Sequence, residues 1–191
     1  MTLKEYQKID LETGKIVDVV LFDPETDEIP EDCKEGWAGD QGMHEPIWSF
    51  AENKWVEDNN SKALLNHMIT RKGAELGIAC KQEILGYFQV KLQGKYYYFS
   101  NDAEAQSNFE KMDRAFEKGR INQLKWTCYD KNWNVKRLLL NAKMFEVVYE
   151  AHLNHIQGNI ARFRDELMVQ LSQATTVEEI ESIVWTPFNS S

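Results

Sequence analysis

The residues best equipped for chemistry in this chain are two histidines, three cysteines and a run of acids, and none of them is spaced for catalysis. His152 and His155 stand three apart with Glu150 beside them, a spacing that puts two imidazoles on one helical face and would suit a zinc-type cation. No HExxH pattern and no second Cys/His cluster accompanies the pair, so it reads as helix surface rather than a metal site. Asp23, Glu25, Asp27 and Glu28 offer oxygens to calcium, but the fixed spacing, central glycine and late bidentate acid of a calcium loop are missing. Cys33, Cys80 and Cys128 are odd in number and widely separated; they suggest neither a disulfide framework nor a zinc ribbon and read as reduced thiols. GxSxG, a phosphate-binding glycine loop and a Cys–His pair in a recognisable context are all lacking. The expectation is a protein that is not an enzyme and holds neither metal nor cofactor.

Aromatic side chains are the other chemical resource, with six Trp, seven Tyr and nine Phe. Tyr96, Tyr97 and Tyr98 are consecutive, and a strand cannot bury all three on one face. At least one ring should lie on the outer surface beside Tyr87 or Trp126, and Tyr97 is that ring if Tyr96 and Tyr98 share the core face. Rings on an exposed sheet anchor protein contacts, and they can also stack on sugars. Tyr87, Tyr96, Tyr97, Tyr98 and Trp126 are therefore the candidate partner contacts. The alternative is that a helix or the front of the chain covers them.

The elements that must position these rings follow from period and punctuation. Phe88, Val90 and Leu92 alternate with Gln89 and Lys91, and the Tyr/Phe run resumes beyond Gln93 and Gly94, a hairpin with a glycine for the positive φ of its turn. Ser100, Asn101 and Asp102 then offer cap oxygens to a helix carrying Phe109, Met112 and Phe116 and closed by Gly119. A second hairpin, LKWTCYD and WNVKRLLL joined through Lys131 and Asn132, has Trp126, Cys128, Trp133 and Val135 as inward positions and extends the first into a small antiparallel sheet. From about 141 to 174 the period becomes 3.6, with Phe145, Val148, Tyr149, His152, Ile156, Ile160, Phe163, Leu167 and Leu171 on one stripe of a long helix in which Gly158 marks a bend or a close contact. Thr176 and Glu179 form a capping box for a last helix that Pro187 helps to stop.

The front of the chain reads as two further hairpins around an acidic, Pro/Gly-rich loop at 23–45. Residues 6–10 and 16–22 flank Glu12, Thr13 and Gly14, while 46–50 and 54–57 flank Glu52 and Asn53. A helix after Asp58, with Leu65, Ile69, Lys72 and Leu76 along one edge, links the two parts. The fold class expected is α+β: a small N-terminal β-hairpin module at 1–58, a linking helix at 59–81, and a C-terminal ββαββαα domain at 82–191 with a small antiparallel sheet and a long amphipathic helix.

Charge divides the chain in the same way. Residues 1–60 hold five lysines against 16 acids, a net of −11, and residues 61–191 hold 17 bases against 15 acids, a net of +2. Such a front module repels nucleic acid and anionic membrane. The polar start MTLKEYQKID is no signal peptide, and no apolar run reaches the 18 or so residues of a membrane span. Folding in a cytoplasm is expected.

Taken together, the Tyr/Phe-rich hairpin from Gly86 to Phe99, the SNDAEAQSNF helix start, LKWTCYDKNWNVKRLLL and the closing ATTVEEIESIVW make the span 68–185 resemble a domain of unknown function found in tail-fibre-associated and tail-accessory proteins of tailed bacteriophages and prophages. YQKIDLETGKI, DEIPED and PIWSFAENKWVED likewise resemble a short module that begins many tail-fibre and baseplate proteins. The resemblance implies a non-enzymatic tail protein that binds the tail fibre or baseplate, as assembly chaperone or adaptor. It would work in the host bacterial cytoplasm during assembly or in the virion tail, as a monomer or homo-oligomer, with neither nucleic acid nor membrane insertion. The alternative is a minor tail-tip or fibre component that itself binds host-surface glycans through its aromatics.

Overall fold

A computed structural model of the chain describes residues 2–36 and 42–188. Residues 37–41 of the expected acidic loop lie outside the described residues. The architecture is α+β, built from small antiparallel sheets and helices. Its contacts form two units, one of residues up to Thr70 with Thr175–Ile180, the other of Arg71–Ala174 with the residues from Glu181.

The first unit is a three-stranded sheet of order β2-β1-β3 and a separate hairpin. β1 (Lys4–Ile9) pairs antiparallel with β2 (Ile16–Phe22) and with the short β3 (Cys33–Glu35). β3 lies inside the acidic stretch read as loop, because three residues carry no visible alternation. The β1–β2 turn is held by Asp10, whose Oδ1 accepts from the amides of Glu12 and Thr13 at 3.1 and 2.8 Å. β4 (Pro46–Ser49) and β5 (Lys54–Glu57) form the second hairpin, with Asn53 at φ 50° in its turn. Gly14 joins hairpin to sheet: its carbonyl accepts from the Trp48 amide at 2.8 Å, and a Cβ on it would stand 2.3 Å from the Trp48 carbonyl oxygen. Ile9 and Trp55 are the buried centre of a small core to which Ile16, Met43 and Trp48 add.

α1 (Lys62–Ile84) buries Leu64 and Met68 in the first unit and Leu76 and Cys80 in the second; of the expected edge, Leu76 is fully buried and Leu65, Ile69 and Lys72 lie half-buried beside this line. The second unit then follows the expected order. β6 (Tyr87–Leu92) and β7 (Lys95–Ser100) turn through Gln93 and Gly94, both at positive φ as a two-residue turn of this hand requires. α2 (Ala103–Glu117) is capped by Asp102, whose carboxylate accepts from the Ala105 amide. β8 (Gln123–Asp130) and β9 (Val135–Asn141) complete a four-stranded sheet of order β6-β7-β8-β9. β8 pairs with β9 from Gln123 to Tyr129, but meets β7 only at Tyr97↔Asp130 and Tyr98↔Tyr129.

A continuous helical run covers residues 142–173: α3 (Ala142–Ala161), a π-helical segment (Arg162–Leu167) and α4 (Met168–Gln173). Phe88, Val90, Leu92, Phe99, Phe109, Cys128, Leu140, Phe145 and Val148 form the core between the inner sheet face and α2 and α3. Each buried Phe or Leu contributes roughly 1.5–3 kcal/mol by leaving water. At Gly158 a Cβ would lie 2.2 Å from the Phe188 ring, so the glycine serves a close contact. α5 (Val177–Ser182) begins with the expected capping box, in which Thr176 Oγ1 accepts from the Glu179 amide at 3.2 Å and Glu179 Oε2 accepts from the Thr176 amide at 3.3 Å.

Candidate functional site

The inner sheet face is buried under α2 and α3, and the outer face is open. Strand parity decides which side chains stand on each. Register places Phe88 opposite Phe99 and Val90 opposite Tyr97 on the inside, and Gln89 opposite Tyr98 and Lys91 opposite Tyr96 on the outside. The sequence expectation for the tyrosine run is therefore inverted. Tyr97 packs against the core, whereas Tyr96 and Tyr98 are on the outer face. The physical reason is the even spacing from Phe99: the residue two positions before a fully buried ring must share its side.

Trp126 lies inward as its alternation placed it, and so not among the exposed partner contacts. It stands on the inner side, stacked on Phe109 with ring centroids 4.3 Å apart and planes 17° apart. The hairpin that carries it has a three-residue loop, Lys131, Asn132 and Trp133, instead of the expected two. Asp130 and Asn134 close it, with the Trp133 amide donating to the Asp130 carbonyl at 2.9 Å and the Asp130 amide to the Asn134 carbonyl at 3.0 Å. One extra loop residue reverses the parity of everything after it. Trp133 and Val135, expected inside with Trp126 and Cys128, are consequently exposed.

Trp133 is the centre of the open face. Its backbone has φ 60°, in the left-handed region that a bulky residue rarely adopts. That conformation is held by Asp130, whose Oδ1 accepts from the amides of Asn132 and Asn134 at 2.9 and 3.0 Å and whose Oδ2 lies 3.3 Å from Lys136 Nζ. The Asn134 amide above all, with the Asn132 amide, the Asn134 side chain and Lys136, pulls the Asp130 carboxyl down to about 2. Around the Trp133 ring stand Tyr98, stacked at 5.1 Å, Tyr87, edge-on at 5.2 Å, and Tyr129 at 5.8 Å. Tyr87 also meets Tyr129 edge-on at 5.5 Å. The hydrogen bond to Tyr129, then burial, pushes the Tyr87 phenol above its usual range. Gln89 Nε2 donates to the Tyr98 hydroxyl at 2.9 Å.

This is a pre-ordered aromatic platform with a basic, partly apolar rim. Trp133, Tyr96 and Tyr87 keep 55%, 50% and 44% of their surface exposed, and Val135 and Leu139 continue the patch along β9. Lys91 Nζ lies 5.5 Å above the Tyr96 ring. The two hairpins, residues 87–100 and 123–141, carry Lys91, Lys95, Lys125, Lys131, Lys136 and Arg137 against the single acid Asp130. Rings fixed by their neighbours lose little entropy when a partner covers them, which is what a contact surface needs. Of the expected contact residues, Tyr87 and Tyr98 meet in the ring cluster and Tyr96 stands on the same face, while Tyr97 and Trp126 lie on the inner side. Tyr129 and Trp133 were missed, although Asp130, Asn132 and Asn134 around Trp133 are turn formers that mark the loop.

The histidines, expected on a helix surface, are instead buried. His152 Nδ1 lies 2.6 Å from Asn101 Oδ1, whose own Nδ2 donates to the Ile84 carbonyl at 2.6 Å, so the imidazole is the donor of the pair. Burial first, then the neighbouring His155, pulls the His152 pKa down to about 4. His155 Nε2 donates to the Glu83 carbonyl at 3.0 Å. His155 thus ties α3 to the last turn of α1, and His152 ties it to Asn101 just before α2. Among the described residues no group of three or more His, Cys, Asp or Glu is placed to hold a metal ion. Cys33, Cys80 and Cys128 are free and buried, and burial pushes the Cys128 thiol up to about 11. Where β7 and β8 part, a cleft of about 420 Å³ opens beside α2, lined among others by Ser100, Asp102, Asn108, Trp126 and Thr127.

Residues 3–62, spanning β1 to β5, match the phage YomQ N-terminal domain family. This likeness supports a phage or prophage protein and is silent about tail fibres. No curated protein and no solved structure matches the chain. Among the described residues no helix is long and apolar enough to cross a membrane.

Proposed function

We propose that this chain is a non-enzymatic tail protein of a phage or prophage that binds the tail fibre or baseplate through the open face of its four-stranded sheet, as an assembly chaperone or adaptor. One observation carries the reading: Tyr87, Tyr98, Tyr129 and Trp133 form a ring cluster on an uncovered sheet face, with Trp133 held there in a strained backbone conformation. Strain of this kind costs about 1–3 kcal/mol and persists where the surroundings over-determine it, often at functional sites. A monomer that only needed to close its hairpin would be better served by glycine or asparagine at that position.

The family likeness supports the phage context, and the exposed rings support a protein partner. Aromatic residues and arginine dominate interface energetics, and the face offers both, with Arg137 exposed beside the rings on β9. His152, His155 and the three thiols are buried in the fold, and this reading assigns the surface the work of binding.

Co-expression with each structural tail protein of the same phage, followed by pull-down, tests this. Wild type and Tyr97→Phe should capture a fibre or baseplate protein, and Trp133→Ala and Tyr98→Ala should not. Capture that is indifferent to both outer-face substitutions would reject the site. Binding of wild type to host cell walls, with no tail protein captured, would favour a glycan-binding tail component.

A further inference from the structure

The four-stranded sheet of the second unit has a gap in its ladder. Antiparallel pairs alternate between those that exchange both backbone bonds and those that turn them outward. On β8 the Asp130 amide donates to the Asn134 carbonyl at 3.0 Å, so Asp130, Cys128, Trp126 and Leu124 bond toward β9. Tyr129, Thr127 and Lys125 therefore turn their N–H and C=O groups to the other side. Tyr129 finds Tyr98 there, the last β7 residue paired with β8. Beyond it β7 ends at Ser100 and the chain leaves into α2, so among the described residues Thr127 and Lys125 have no strand partner on that side. Both line the cleft of about 420 Å³ between β8 and α2. The helix supplies its other wall through Glu104, Asn108 and Met112, which are four apart and share one helical face. Leu124, Trp126 and Ala105 give its inward side an apolar surface that continues into the core.

We propose that this groove receives an extended segment of a partner protein, which adds to β8 as a strand in the place that β7 vacates. Lys125 and Thr127 each present one N–H and one C=O, about 7 Å apart at roughly 3.4 Å per residue, and a second extended backbone matches that spacing bond for bond. Alternate side chains of the segment would point inward to Leu124, Trp126 and Met112, and the others outward to solvent. The fitting sequence is one of alternating apolar and polar residues, and Asp102 and Glu104 beside the groove oppose an acidic one. Two other occupants fit less well. A sugar needs an open ring face, and Trp126 is already stacked on Phe109 at 4.3 Å with Phe145 at 6.0 Å. A second copy of the chain would have to supply a segment free of its own sheet. The longest described stretch outside strand and helix, 23–32, carries six acids and two prolines, and proline has no N–H to donate. The groove shares Tyr129 with the ring cluster, but its bonds come from backbone and do not depend on the tail-binding reading.

Hydrogen exchange on the full-length protein, read residue by residue, tests the gap. The Lys125 and Thr127 amides should exchange about tenfold or more faster than those of Trp126 and Cys128, which β9 protects. A displayed library of random dodecapeptides, selected on wild type, supplies the probe. A selected peptide should slow exchange at Lys125 and Thr127, and the same peptide N-methylated at alternate residues should not bind. Thr127→Pro removes one groove-facing N–H without touching the β9 ladder, and Asn108→Trp fills the groove from the helix. Each should weaken peptide binding by about tenfold or more, while Trp133→Ala leaves it unchanged. The N-methylated peptide is read on wild type, so it decides the matter even if a variant fails to fold. Selection of no peptide overturns the proposal, as does a peptide that tolerates N-methylation. A peptide lost with Trp133→Ala but kept by Thr127→Pro overturns it in favour of the ring cluster. Protection of the same amides by a cell-wall glycan, with no peptide bound, overturns it in favour of a saccharide. Capture of a tail protein that survives Thr127→Pro, with no peptide selected, would sink this inference and leave the tail-binding reading standing.

Discussion

Trp133 lies stacked on Tyr98, ring centroids 5.1 Å apart and planes 25° apart, although it reaches that position through a backbone φ of 60°. The left-handed backbone costs a non-glycine residue about 1–2 kcal/mol. The ring contacts return about 0.5–1.5 kcal/mol for each good aromatic pair. Stability and binding therefore separate at this residue. Trp133→Gly should change unfolding free energy by no more than about 1 kcal/mol, because relief of strain and loss of ring packing oppose each other. Capture of the partner should nonetheless fall by tenfold or more, the effect of about 1.4 kcal/mol or more of contact energy. Denaturant titration and pull-down on the same preparation check both halves.

Asp130 is the residue that holds the loop. Asp130→Ala removes the acceptor for the amides of Asn132 and Asn134 and the partner of Lys136. The expected outcome is loss of the near-ultraviolet circular dichroism of the ring cluster with little change in the far-ultraviolet. Asp130→Asn, which keeps one acceptor oxygen, should retain most of the signal. Because the carboxyl is held at about 2, the wild-type signal should be flat from neutral pH down to about 3 wherever the protein remains folded.

His152 makes the second unit sensitive to mild acid. Its pKa is about 4 in the fold against an ordinary 6.5, so the unfolded chain binds the additional proton between these values. The stabilisation is fully present above about pH 6.5 and declines as pH falls toward about 4, with a span on the order of 3 kcal/mol. The urea midpoint should fall further between about pH 7 and about pH 5 for wild type than for His152→Gln. Equal slopes for the two proteins would remove His152 as the cause.

Gly14 answers for the first unit. It has φ 71°, and a Cβ there would stand 2.3 Å from the Trp48 carbonyl oxygen, which is backbone and cannot swing away. Gly14→Ala should lower stability by about 2 kcal/mol or more, the sum of a left-handed alanine and a displaced β4. Hydrogen exchange should quicken at Trp48 and around the β1–β2 turn, while amides of β6–β9 keep their protection.

Much of this architecture was legible in the chain because it rests on local rules. The alternation of Phe88, Val90 and Leu92, the turn at Gln93 and Gly94, the cap at Asp102 and the capping box of Thr176 and Glu179 all appear where period and punctuation put them. These signals are interactions between residues a few positions apart, so a sequence displays them directly. The α+β class and the long C-terminal helical run follow from the same rules.

Tertiary structure alone decided which side of each element faces inward. Period 2 says that Tyr96 and Tyr98 share a side and that Tyr97 opposes them, but the choice of side came from α2 and α3, which bury Phe99, Phe109 and Phe145 on the face that Tyr97 joins. The three-residue loop turned Trp133 and Val135 outward by one step of register, a change invisible until Asp130 and Asn134 are seen to bond across it. His152 and His155 were readable as a pair on one helical face, yet only packing showed that face to be covered and gave them Asn101 and the Glu83 carbonyl as partners. These partners are 51 and 72 positions away in the chain. Their bonds depend on the completed fold, whereas alternation, turns and caps depend only on neighbours.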